Sequence, residues 1–175
     1  MHRTIAAAFI VLGVSPVWAA DAPAKIAELG LVFAPFGVWA KIQKDDPELA
    51  VYRARDVPEQ ITLRLMRSTT RMEPKARRET VDALVEHRQA AERRDSDGKV
   101  DFQPIKVSER SGLTIATYCG SDRTTGRPFA TMVLASQDST WTLFYETLES
   151  PAVTFCSQGE KFFATVLEAK KKERK

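Results

Sequence analysis

The 175-residue chain contains no asparagine, only two cysteines and two histidines, and eight glycines. Without asparagine there is no N-glycosylation acceptor and no catalytic asparagine. His2 falls in an apparent leader, which leaves His87 as the one histidine of the folded part. One histidine and two thiols do not make up a usual zinc ligand set, so no metal is expected. There is no C-x-x-C, which argues against thioredoxin-like redox work, and no G-x-S-x-G for a serine hydrolase. The only long apolar run, Ile5 to Val14, has ten residues, about half of what a bilayer core requires. An excess of one charge is missing too. The 26 basic and 23 acidic residues leave +3, too weak a field to predict nucleic-acid or anionic-lipid binding. Nothing in the sequence calls for a cofactor.

What is present starts with a targeting pattern. Met1-His2-Arg3 is a basic head, Ile5 to Val14 an apolar stretch, and Ser15-Pro16-Val17-Trp18-Ala19-Ala20 a breaker followed by small residues. This is the layout of a secretory signal peptide over residues 1–20, cut after Ala19 or Ala20. Ala19 is preferred, because it puts Val17 rather than bulky Trp18 at the minus-three position. The rest, residues 21–175, is the size of one domain, carries about +2, and ends in a charged tail over 168–175. Its expected location is periplasmic or extracellular. In such oxidising surroundings the even pair Cys119 and Cys156 predicts a disulfide. The loop it closes, of about 37 residues, corresponds to about 3.5–4 kcal/mol in chain-entropy terms.

Periodicity orders the elements. Ile26 to Phe36 reads as a short helix or an edge strand, broken by Gly30 and Pro35. Strands are predicted over 37–43, 49–55 and 60–67 from alternation such as Ile61, Leu63, Leu65 against Thr62, Arg64, Met66. Pro74 opens an amphipathic helix running to Arg94, with Val81, Leu84, Val85 and Arg88 on one stripe. Val100 to Val107 contains Pro104 and predicts an edge or bulged strand. Strands over 113–119, 129–136 and 141–148 follow, the last two apolar on both faces, which asks for a layer over each. Ser157-Gln-Gly-Glu160 reads as a capping box ahead of a last helix carrying Phe162, Phe163, Val166 and Leu167. The predicted class is α+β: a largely antiparallel sheet sandwiched by a long central helix and a C-terminal helix.

Candidate sites are sparse. Asp95 to Asp101 has the flavour of a calcium loop, but an EF-hand register would put Arg93 and Pro104 at ligand positions, so a turn is the better reading. Gly120 to Pro128 departs from a phosphate loop in spacing and lacks its lysine; it reads as a hairpin whose tip presents Arg123 and Arg127 to an anion or partner. Arg77, Arg78 and Arg88 on the long helix are further candidate partner contacts, set among carboxylates that would pair with them. Leu29 to Trp39 is the most apolar stretch after the leader and reads as core or as a groove offered to a partner. No catalytic residue is assigned.

Phe36-Gly-Val-Trp39 leading into a strand pair, Gly126-Arg-Pro-Phe129, Trp141-Thr-Leu-Phe144 and the closing Phe162-Phe163 helix together resemble the PsbP-like sandwich, a fold that DcrB-like bacterial envelope proteins are thought to share. The resemblance spans most of 33–168 and rests on element order and a few aromatics. It implies an accessory binding or assembly role without catalysis. The expectation is therefore an exported periplasmic accessory protein that binds another envelope protein, in an immunity-type or secretion-associated setting. One alternative is a small-molecule or lipid carrier, with the aromatic sheet face lining its pocket. Another is a hydrolase that uses His87 with an acid from the sheet.

Overall fold

The computed structural model describes residues 25–43, 46–55, 61–147 and 155–169. The predicted leader, its cleavage site and residues 170–175 of the tail lie outside the described residues. The elements are β1 (Ile26–Glu28), β2 (Leu31–Phe33), β3 (Trp39–Lys41), β4 (Leu49–Ala54), β5 (Ile61–Thr69), α1 (Pro74–Asp95), β6 (Val100–Phe102), β7 (Lys106–Arg110), β8 (Leu113–Asp122), β9 (Pro128–Ala135), β10 (Ser139–Thr147), α2 (Phe155–Ala164) and β11 (Leu167–Glu168). The large sheet runs β3-β4-β5-β10-β9-β8-β6, with β7 also on β8, and its pairings are antiparallel. A small sheet, β1-β2-β11, lies beside α2 over one face. The α+β class and the two-helix sandwich hold.

The alternation read in the sequence separates two cores. On one face Leu63, Leu65, Met132, Leu134, Trp141, Leu143 and Tyr145 pack with Leu31, Phe33, Phe155, Phe162 and Phe163. On the other face Ala116, Tyr118, Phe129, Val133 and Phe144 pack beneath Val81 and Val85 of α1. Every residue of β9 is buried, as expected of a strand covered on both sides. Two glycines permit close approach here. A Cβ on Gly159 would sit 2.7 Å from Ala130 Cβ, so glycine is what lets α2 lie against β9. A Cβ on Gly120 would meet the Phe129 ring at 2.4 Å.

Four expectations are corrected. Ile26 to Phe36 forms neither a helix nor a single edge strand; Leu29 (φ 48°) and Gly30 (φ 83°) turn it into the β1–β2 hairpin. The Trp141 indole N–H donates to the Leu29 carbonyl at 2.8 Å and anchors that turn to the large sheet. Val100 to Val107 is two strands, because proline has no N–H for the ladder and residues 103–105 break the pairing. Both pieces pair with successive stretches of β8. The capping box is not at a helix start, since α2 already includes Phe155 and Ser157 lies inside it. The helix also stops at Ala164. Arg110 donates to the Ala164 carbonyl at 3.0 Å and the Val166 carbonyl at 2.5 Å, and Leu167 leaves the helix to pair with β2.

Candidate interaction surface

The large sheet is sandwiched unevenly. α1 packs on β8 and β9, and Arg88 reaches as far as β10, its guanidinium carbon 4.2 Å from the centroid of Phe144. The same face of β3, β4 and β5 has no covering element among the described residues. Sequence alternation decides which side chains occupy it. Ala50, Tyr52 and Ala54 belong to the core under the small sheet, so Leu49, Val51 and Arg53 point the other way. Trp39 packs toward Tyr145, with ring centroids 6.2 Å apart, so Val38, Ala40 and Ile42 turn outward. Val38 is 59% exposed and Ile42 50% exposed, and neighbouring Phe36 is 51% exposed. Register sets Val51 beside Arg64, Arg53 beside Thr62 and Ala40, and Leu49 beside Met66. Arg64 is spoken for by Glu146 at 3.4 Å, which also accepts from Thr62.

The five arginines expected as partner contacts do not form one surface. Arg77 donates to the Gly112 carbonyl at the β7–β8 turn, and Arg78 pairs with Asp82 at 2.8 Å. Arg88 is turned inward: it pairs with Glu92 and lies over Phe144, so it serves as packing and not as an exposed contact. Helical spacing had put it on the apolar stripe, and the long aliphatic stem is what lets it stay there. Arg123 faces Asp101 at 3.5 Å and donates to the Gly98 carbonyl. Arg127 flanks the same hairpin, where the Asp122 carboxylate accepts from Thr124 and Thr125 N–H groups and is held below its ordinary range by those bonds. Arg77 and Arg123 lie at opposite ends of the ten-residue β8, about 30 Å apart.

The predicted disulfide is absent: Cys119 and Cys156 are free thiols. The fold nonetheless brings them side by side, one on β8 and one on α2. The Cys119 thiol is pushed far above its ordinary pKa, first by burial and then by the hydrogen bond and charge of Cys156 beside it, with Lys106 offsetting part. On α1, Glu92 is raised mainly by burial, and Arg88 pulls it back only in part. The Tyr118 hydroxyl is buried beside Thr131, and burial raises it to about 12.

His87 is exposed on α1, on the helix side turned away from the sheet, so the fold does not bring it to a sheet acid. The aromatic sheet face proposed to line a carrier pocket is filled: Tyr145 stacks on Phe155 at 4.8 Å and meets Phe162 at 5.7 Å, and Phe33 packs edge-on to Phe162. A cleft of about 640 Å³ at the end of the sheet, bordered by Arg77, Ser136, Asp138 and Leu167, has no aromatic lining. Sequence reasoning missed Arg53 and Arg55. The signal was there: both continue the Leu49, Val51 alternation, opposite a face already supplied with Ala50, Tyr52 and Ala54.

No family model matches the chain, and no curated protein matches it in sequence. Solved structures similar to it include these two. One is cyanobacterial PsbP (CyanoP) from Synechocystis, with a TM-score of 0.61 at 14% identity, covering 90% of this chain and 98% of that one. The other is a protein from Bacteroides thetaiotaomicron, with a TM-score of 0.46 at 10% identity, covering 88% of this chain and 50% of that one. The first likeness shows a PsbP-like fold. The DcrB-like side of the resemblance is not shown by either structure.

Proposed function

We propose that this chain is an exported, non-catalytic accessory protein that binds another protein of the cell envelope. The observation that carries the reading is the apolar group Phe36, Val38 and Ile42, about half exposed and close together in the chain, whereas the other exposed large apolar side chains among the described residues, Ile105 and Leu167, come singly. Contiguous apolar exposure of this kind marks interaction surfaces. Export is supported by the basic head, apolar run and small-residue site of residues 1–20. No helix among the described residues is long and apolar enough to cross a membrane.

Cell fractionation with N-terminal sequencing tests export. The expected product begins at Ala20 or Asp21 and is released with the periplasmic or secreted fraction. An intact amino terminus in cytosol overturns the reading. A pull-down under native conditions checks binding, and a protein that elutes alone from every extract counts against it.

A further inference from the structure

We infer that the bare face of β3, β4 and β5 is the docking surface, and that it takes an acidic, amphipathic segment of a partner protein. The inference rests on the accessory reading and deepens it. The face carries an apolar strip, Ile42, Val51 and Met66, on three adjacent strands. Arg53 and Arg55 stand on the same face of the chain, both exposed, and neither has a carboxylate within ion-pair distance among the described residues. Glu146, which borders this region, is already engaged by Arg64 and Thr62. Among the described residues the strip is therefore apolar with a positive flank at Arg53 and Arg55. A segment that presents apolar side chains to the strip and carboxylates to Arg53 and Arg55 satisfies both features.

Charge also argues against a second copy as occupant. Two such faces brought together would set Arg53 and Arg55 of one chain near those of the other, and like charges across an interface are costly. Ala40 is directly paired with Arg53, so a small side chain stands beside the arginine on the neighbouring strand. On the other half of the same face, α1 already shows what such a layer does when it belongs to the chain itself, with Val81 and Val85 buried and charges along its margins.

The test places a photo-crosslinking benzoylphenylalanine at Val51 of the full chain, with controls at exposed His87 and Lys161, in the source cells. The expected result is a crosslink from Val51 to a different protein, whose crosslinked peptide, sequenced by mass spectrometry, alternates or clusters apolar residues with Asp or Glu. Arg53→Glu with Arg55→Glu should lower the yield about tenfold, with the circular dichroism melt unchanged. A crosslinked peptide from this chain's own sequence, a peptide without carboxylates, a lipid adduct, or a yield unmoved by the charge reversal overturns the inference. Crosslinks to another protein from His87 or Lys161 and none from Val51 leave the accessory reading standing and remove this one. The absence of a crosslink at all three positions removes both.

Discussion

One sheet face has two fates in this molecule. Over β8 and β9 it is roofed by α1, and the side chains beneath, from Val133 to Phe129, are buried. Over β3 to β5 the same face has no covering element among the described residues; Val38 and Ile42 are about half exposed there, and Leu49, Val51 and Met66 are half-buried. The strand patterns of the two regions differ in degree: β9 is buried on both sides of its pleat, whereas the outer face of β4 and β5 mixes Leu49, Val51 and Met66 with Arg53, Thr62 and Arg64. The difference is that the first region is covered by a helix of its own chain and the second has no covering element among the described residues. An apolar strand face without a chain-internal partner is either tolerated exposure or a place for someone else's side chains. The arginines beside it favour the second reading.

The comparison can be broken most forcefully with a charge placed on each side. Val81→Asp, beneath α1, is expected to cost about 4 kcal/mol or more, enough to abolish the cooperative melt, because an unpaired carboxylate would replace a fully buried methyl pair. Val51→Asp, on the bare face, is expected to cost less than about 1 kcal/mol. Thermal melts that give equal losses would mean the two regions are equally buried in solution.

A second contrast tests how tightly the opposite layer is seated. Gly159→Ala puts a methyl 2.7 Å from Ala130 Cβ, and α2 must lift to admit it. A loss of about 1–3 kcal/mol by urea titration is expected. The matching small change on the bare face, Ala40→Ser, should be nearly silent.

The layer under α1 also responds to pH in a way the bare face cannot. Burial raises the Tyr118 hydroxyl to about 12, so the folded chain keeps its proton after the unfolded chain has lost it near 10. Stability should then fall between about pH 10 and 12, by up to about 1.4 kcal/mol per unit. Tyr118→Phe should remove that loss. At neutral pH the change should stay within about 1 kcal/mol, since the lost contact with Thr131 is offset by the removal of a buried polar group. The smallest expected effect belongs to Glu92. Its carboxyl is raised by burial, so the folded state holds the proton more tightly than the unfolded state does. Its contribution is present at low pH and is lost as pH rises through the raised value. Glu92→Gln should therefore gain on the natural chain above that window and lose its advantage as pH falls toward the ordinary carboxylate range, read as the difference between two melting curves.

Much of the fold was legible because it is written locally. The helix from Pro74 and the two-faced strands over 128–135 and 139–147 follow from periods of 3.6 and 2, which depend only on near neighbours along the chain. The opening β1–β2 hairpin was less legible, because a left-handed Leu29 is held there by a tryptophan more than a hundred residues away. The end of α2 was obscured in the same way, since Arg110 supplies its C-terminal partners from β7. The candidate site was harder still. Arg77, Arg78, Arg88, Arg123 and Arg127 stood out by number and spacing, yet most of them meet carbonyls, carboxylates or a ring within the chain. Arg53 and Arg55 did not stand out, because an arginine in a strand looks the same whether or not a layer lies over it.

By itself, the sequence determined the alternation of each strand, the amphipathic stripe of α1, their order along the chain, the near-balance of charge and the leader pattern at the amino end. Each of these is a property of adjacent residues or of simple counts. Only the tertiary structure decided that α1 lands on β8 and β9 and leaves β3 to β5 bare, that Arg88 turns inward, and that Cys119 and Cys156 become neighbours. Those outcomes depend on which distant surfaces meet. A period of two says that a strand has two faces, and it is packing between remote elements that settles which of them is covered.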